Sequence, residues 1–367
     1  MNELKIAFLG AGEISERFIL MAKKLKGVRM CAIYSRTLKN AEAKAEEHGI
    51  QRYFNDYKAM LKFEKPDCVV ITTPHSMHAK HAIDCMKAGA HVLVEKPVAT
   101  SFADAKKMVL ASKKYKKLMM GLPFDHYPHY LRALDFVKEK YIGKILSGHS
   151  ELSVSGPPRN NWYYDKKIAK GGAVLDVGCY ALSRLISIMG PVKKVTAFVN
   201  MLIPKRILPS GEKIRPSVDD NAFMILEFEG GTFASVKASW AHTHYENYTA
   251  IYGRHGAVYI NADNQPLVVK TEKKIKGKKI AFRNFDNCYV PDNFPAFEPE
   301  DDILGKFIGY VREGVQPVYN AQQSLHIMEV MDAAYKSAKT GKAVKITTPF
   351  KMWWDKEKSI QNFNEFI

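Results

Sequence analysis

The sequence predicts a two-part α/β protein: a doubly wound parallel domain over residues 1–122, then an α+β domain with a large antiparallel sheet over 123–367. Three observations carry this. The 367 residues exceed the roughly 250 to 300 that one hydrophobic core organises. Up to about residue 120, short apolar runs alternate with amphipathic stretches, and beyond about residue 145 strand-like runs follow one another directly.

In the first part, β-like runs stand at 5–10 (KIAFLG), 29–35, 67–73, 91–96 and 118–122, with helical patterns at 13–26, 38–48, 77–88 and 102–116. Apolar runs bounded by turns and separated by helices mark a parallel sheet covered on both faces. In the second part a helix is expected over 172–189. HSELSVS, VKKVTAFVNM, AFMILEF, TFASVKASWA, YTAIYG and AVYINA are separated by turns alone, as in an antiparallel sheet. Helical patterns return near the C-terminal end, the last opened by Asn320 or Ala321 and closed by Gly341, and these helices are expected to pack back on the first domain.

The composition, 46% hydrophobic and 25% charged, suits a folded globular chain rather than a disordered one. A net charge of +17 raises the question of nucleic acid. The lysines fall mostly in scattered pairs, such as Lys23-Lys24 and Lys106-Lys107, that read as solvated helix faces. The densest basic run, 272–283, has a glycine at its middle and reads as a solvated hairpin, so no nucleic-acid partner is expected. No apolar run reaches the roughly 20 residues of a membrane span, and the N-terminal one passes directly into glycines, so no membrane partner is expected. Five dispersed cysteines without a CxxC pair imply no metal and no disulfide framework, in keeping with a cytoplasmic protein.

The chemistry begins at GAGEIS, Gly10 to Ser15, which follows the first strand and opens a helix. In a dinucleotide-binding (Rossmann) turn the first glycine allows the sharp bend, the second lets a pyrophosphate approach, and the third position needs a small residue. Gly10 and Gly12 fill the first two, Ser15 the third, and Glu13 and Ile14 begin the helix. About 25 residues on, where an acid often meets the ribose 2′-hydroxyl, the chain has Ser35 and Arg36. A hydroxyl and a guanidinium suit a 2′-phosphate, which leans the cofactor towards NADP over NAD, although Arg36 stacking on adenine would accommodate NAD. At the end of a later strand stand Glu95, Lys96 and Pro97, at the sheet edge where open α/β proteins bind ligands; proline restricts Lys96 to extended backbone.

GAGEIS, ITTPHSMHAKHAIDCMKAGAHVLVEKPVA, GGAVLDVGCY and AYKSAKTGKAV occur in the order used by the Gfo/Idh/MocA oxidoreductases, which the chain resembles over nearly its whole length. The resemblance implies a Rossmann domain, a second domain with an open antiparallel sheet, and homodimers or higher oligomers formed through that sheet. It implies that Lys96 is the active-site lysine, that the turn bearing Thr73, Pro74 and His75 lines the cofactor with Glu95, and that His78 lies near the nicotinamide. Where the family commonly has Asn and an Arg-aromatic pair, this chain has GLPFDHYPHY, which leaves Asp125 and His126 as substrate binders or caps of the linking segment.

Asp176 and Tyr180, four apart, would share one face of a helix, either as two buried polar groups bonded to backbone or as a working pair. Many family members place histidine at the second position; tyrosine there resembles the glucose-fructose oxidoreductase, dihydrodiol dehydrogenase and ketosugar reductase branches, in which it moves the proton. A lysine ammonium beside a phenol favours phenolate, so Lys96 and Tyr180 make a coherent acid/base unit, with Asp176 on a sugar hydroxyl. Trp162 and Tyr163 offer aromatic faces to a pyranose, or a core or subunit contact. The expected activity is NAD(P)-dependent hydride transfer to or from a sugar, glycoside or polyol. The alternatives are a redox-assisted glycosidase of the same family and a non-enzymatic dinucleotide-binding regulator.

Overall fold

The computed structural model describes residues 3–121, 128–158, 161–261, 267–271, 281–283, 286–289, 303–315 and 320–350. Asp125, His126 and most of the basic run lie outside these. The chain divides into two compact units. The first holds Met1–Leu122 and Asp302–Met328, the second Pro123–Asp301 and Glu329–Met352.

The first unit is built on β1 (Leu4–Leu9), α1 (Glu13–Lys24), β2 (Val28–Tyr34), α2 (Leu38–His48), β3 (Tyr53–Phe54), α3 (Tyr57–Glu64), β4 (Cys68–Ile71), α4 (His78–Lys87), β5 (His91–Val94), α5 (Phe102–Tyr115) and β6 (Met119–Gly121). The six strands are parallel, in the order β3-β2-β1-β4-β5-β6. That is the doubly wound order, with its switch point between β1 and β4. Ile6 to Leu9, Val69 to Ile71 and Val92 to Val94 are almost wholly buried, as strands covered on both faces must be. Helix starts follow capping chemistry: the Asp56 carboxylate accepts from Lys58 N–H at 2.8 Å, and Ser101 Oγ accepts from Asp104 N–H at 3.2 Å. β3 and α3 stand where no element was expected.

The second unit contains α6 (Pro128–Lys138), β7 (Ile145–Ser153), α7 (Lys166–Ala169), α8 (Cys179–Met189), β8 (Val192–Asn200) and a hairpin of β9 (Arg206–Ile207) with β10 (Lys213–Ile214). β11 (Asn221–Phe228), β12 (Phe233–Ser239), β13 (Glu246–Gly253), β14 (Gly256–Asn261), β15 (Leu267–Thr271), β16 (Ala281–Arg283) and β17 (Asp286–Tyr289) follow. After them, α9 (Ile303–Glu313) belongs to the first unit, α10 (Ala321–Thr340) carries the division between units, and β18 (Val344–Lys345) returns to the second. Arg312 on α9 donates to the carbonyls of Lys26 and Gly27 at 3.0 and 2.9 Å.

Among the described residues the second sheet has ten strands, ordered β16-β17-β15-β14-β13-β7-β12-β11-β8-β18. It departs from the expected antiparallel pattern at one place, since β7 and β12 pair in parallel. α8 covers one face. A Cβ on Gly148 would meet Met189 Sδ at 2.7 Å, so the bare glycine in β7 allows that close approach. On the other face Phe198 is 78% exposed and sits opposite Phe223 at 51%, with Ile225 and Phe233 beside them at 52% and 54%. By length and composition the stretch Lys166–Met189 would pass for a membrane span, yet its helix is interrupted after Ala169 and its most apolar window is 89% buried inside the fold.

The helix expected over 172–189 is not regular. Val174–Gly178 is π-helical, and α8 begins only at Cys179. A π turn closes its hydrogen bonds from i to i+5, so Asp176 and Tyr180 are not a regular α-helical i,i+4 pair.

Candidate active site

In the first unit the candidate residues gather where the parallel strands end. Gly10 follows β1 with φ of +120°, and a Cβ there would lie 2.5 Å from Thr72 Oγ1, so both conformation and space demand glycine. Gly12 is different: a Cβ there would meet nothing within 4 Å. The exposed Gly12 stands at the N-cap of α1, where free N–H groups and the helix dipole favour an anion. Ser15, fully buried, donates its hydroxyl to Gly12 O at 2.5 Å, which ties the third motif position to the second. Glu13 and Ile14 form the exposed first turn, with Ile14 showing apolar surface beside the glycines. This turn fits a dinucleotide pyrophosphate. Beyond β2, Ser35 N–H is held by Phe54 O at 3.1 Å, and Arg36 is exposed just before α2.

The turns after β4 and β5 are tied together by one imidazole. Nδ1 of His78 lies 2.8 Å from Pro97 O and Nε2 lies 2.6 Å from Thr73 O. Both nitrogens of this fully buried ring therefore face backbone carbonyls, and His78 braces the two turns instead of presenting a ring nitrogen to a nucleotide. Burial, the larger effect, holds it below the ordinary histidine range, against the pull of the two carbonyls. Neutral imidazole carries a single N–H, so it donates to one carbonyl at a time. Buried His75 packs edge-on to it at 5.7 Å, and burial, the largest effect, holds His75 well below the ordinary histidine range. Thr73 Oγ1 lies 3.0 Å from His81 Nδ1, while Pro74 is exposed. Half-buried Lys96 follows β5, and its N–H donates to the Glu95 carboxylate at 2.7 Å.

In the second unit the candidate residues rest on contacts between distant positions. Asp219 caps the start of the π segment, accepting from Gly172 N–H at 2.8 Å and Val174 N–H at 2.9 Å, and also from the Tyr335 hydroxyl at 2.7 Å. Burial first, then the Asp219 charge, raises that hydroxyl well above the ordinary tyrosine range, so it stays a donor. A Cβ on Gly172 would sit 1.8 Å from Asp219 O, and one on Gly171 2.4 Å from the Tyr335 hydroxyl. The two glycines are thus required by packing, beyond any need for a turn.

Asp176, buried in the π turns, accepts a hydrogen bond from Trp240 Nε1 at 3.1 Å. One partner of its carboxylate is thus an indole from a distant strand end. Tyr180 is half-buried in the first turn of α8. Trp162 and Tyr163, both half-buried, stack on each other with ring centroids 4.0 Å apart, so each has one face turned to its neighbour. Tyr164 turns inward instead, edge-on to Trp240 at 5.4 Å. Sequence reasoning did not single out Trp240, Asp219 or Tyr335: each acts on a segment far along the chain, and no local spacing marks them.

Solved structures share this architecture. A levoglucosan dehydrogenase in complex with NADH and L-sorbose matches with a TM-score of 0.82 at 21% identity, covering 94% of this chain and 99% of that one. Among curated relatives, the D-glucoside 3-dehydrogenase of Escherichia coli (strain K12) is 24% identical over 94% of this chain and 98% of its own length. The D-xylose 1-dehydrogenase (NADP(+)) 2 of Haloferax volcanii is 28% identical over 94% and 100%. The description "Oxidoreductase family, NAD-binding Rossmann fold" fits residues 4–122, and that of the GFO/IDH/MocA C-terminal domain fits 130–259. With both domains accounted for, the chain belongs to the Gfo/Idh/MocA family of oxidoreductases.

Proposed function

We propose that this protein is an NAD(P)-dependent dehydrogenase or reductase acting on a secondary or anomeric hydroxyl, or the matching keto group, of a sugar, glycoside or polyol. The observation that carries the reading is that the open glycine turn at Gly12 and half-buried Lys96 follow strands of one parallel sheet at its carboxyl edge, where such folds bind their ligands. The sugar and glycoside dehydrogenases among its relatives support the substrate class.

The nicotinamide supplies or accepts the hydride. In the oxidising direction the substrate C–H leaves with its electron pair, and the hydroxyl proton passes to this chain. Tyr180 takes that proton; Lys96 orients the hydroxyl and, as an ammonium, favours the phenolate that makes Tyr180 a base. Asp176 holds a neighbouring sugar hydroxyl, Trp162 and Tyr163 offer aromatic surface to the ring, and Asp125 and His126 belong to the substrate side. Gly10, Gly12, Glu13 and Ile14 hold the pyrophosphate end. Ser35 and Arg36 receive the adenosine ribose, favouring its 2′-phosphate and hence NADP over NAD. Thr73, Pro74, His75 and Glu95 line the cofactor, and His78 braces their turns.

The exposed apolar face around Phe198, Phe223, Ile225 and Phe233 supports self-association through the second sheet. The buried free thiols of Cys31, Cys68, Cys85 and Cys179 suit the reducing cytoplasm.

The test is to incubate the purified protein with NAD and NADP against sugars, glycosides, polyols and ketosugars, following nicotinamide absorbance. Reduction or oxidation of the cofactor with at least one of these classes is expected. Dinucleotide binding without turnover on any of them would replace the reading with a regulator. Aglycone release without net cofactor turnover would replace it with a glycosidase.

A further inference from the structure

We propose that Trp240 is the positioning residue for Asp176, and that the β9–β10 hairpin sets its aim. This rests on the reading of Asp176 as a substrate-hydroxyl ligand. The Asp176 carboxylate receives the indole N–H of Trp240 at 3.1 Å from 64 residues away. Trp240 is fully buried, so its N–H needs a partner, and the indole can only donate. The bond therefore commits one oxygen of Asp176 to the protein and directs the carboxylate.

The indole is itself held at both ends of its peptide. Trp240 N–H donates to Asp220 O at 2.7 Å, and Trp240 O accepts from Arg206 Nη2 at 3.0 Å. Arg206 is paired with the Asp220 carboxylate at 2.9 Å, with both side chains almost fully buried. The same carboxylate accepts from Leu202 and Ile203 N–H at 2.7 and 2.9 Å, which anchors the chain leading into β9. Tyr164 packs edge-on to the indole ring. The hairpin thereby determines, through Arg206, where Trp240 points and so how Asp176 is presented.

The experiment reads the bond and its use separately. In a ¹⁵N-labelled full chain the four tryptophans give four indole N–H signals, and Trp240→Phe identifies one by its loss. Asp176→Asn should move that signal upfield and leave the other three in place, because a charge-assisted acceptor is lost. An unmoved signal would overturn the proposal, and this comparison needs only wild type and Asp176→Asn if the phenylalanine variant assigns the signal but folds poorly. In kinetics, Trp240→Phe should lower kcat/KM for the sugar about tenfold through KM, leave dinucleotide affinity unchanged, and cause no further loss in an Asp176→Asn background. Equal losses in both backgrounds would overturn it. If Asp176→Asn alone left kcat/KM intact while the indole signal moved, the substrate role of Asp176 would fail and the indole–carboxylate bond would stand.

Discussion

The two units support their candidate residues by different means. In the first, the backbone does most of the work: parallel strands end on one edge, Gly10 and Gly12 shape a turn, and His78 ties the carbonyls of Thr73 and Pro97 together. In the second, side chains do it. Asp219 reaches 47 residues back to cap Gly172, and Trp240 reaches 64 residues back to Asp176. Strand-end sites are thus set by topology, whereas the π-helical site is set by a few specific contacts and has more ways to fail.

The glycines of the two units give the sharpest way to break this comparison. Gly172→Ala drives a Cβ into Asp219 O, at 1.8 Å in the present geometry, and should destabilise the protein by about 3 kcal/mol, seen as a lowered urea midpoint. Gly12→Ala, with open space around it, should leave that midpoint within error and weaken dinucleotide binding instead. Equal stability losses would mean that the glycines do the same job in both units.

Acid should act on the first unit through His81, which burial holds at about 4. Unfolded histidine titrates near 6.5, so the unfolded chain binds the extra proton between those values. The stability His81 contributes is fully present above about pH 6.5 and is lost as pH falls towards 4, about 2 kcal/mol of it by pH 5. Unfolding midpoints at pH 7 and pH 5 check this: His81→Gln should reduce the difference without abolishing it, because buried His75, His78 and His91 are also held below the ordinary histidine range. The smallest effect is expected at Arg36: its replacement by Ala should weaken NADP about tenfold and leave NAD nearly unchanged, measured as the ratio of KM values.

What was legible in the sequence follows the same division. Alternating apolar runs gave the parallel sheet, and α2 spans the residues its pattern predicted, because burial on both faces leaves a continuous record. β3, two residues long, is too short to carry any period, and α3 behind it went unseen. Gly10 and Ser15 were readable because their roles are local. The packing roles of Gly171 and Gly172 left no local mark, because their partners, Tyr335 and Asp219, lie far along the chain. The π segment could not be anticipated, since its apolar residues fit an α-helical pattern equally well, and the parallel β7–β12 pair joins strands about 80 residues apart. Asp176 was singled out by its spacing from Tyr180, but its indole partner was not.

The central claim is that the tyrosine in the first turn of α8 moves the substrate proton. The most direct test is Tyr180→Phe, assayed for turnover on the best substrate and, by titration, for dinucleotide affinity. The account predicts a fall in kcat of about 10²- to 10⁴-fold with affinity for the dinucleotide unchanged. Turnover close to that of the wild type would contradict it.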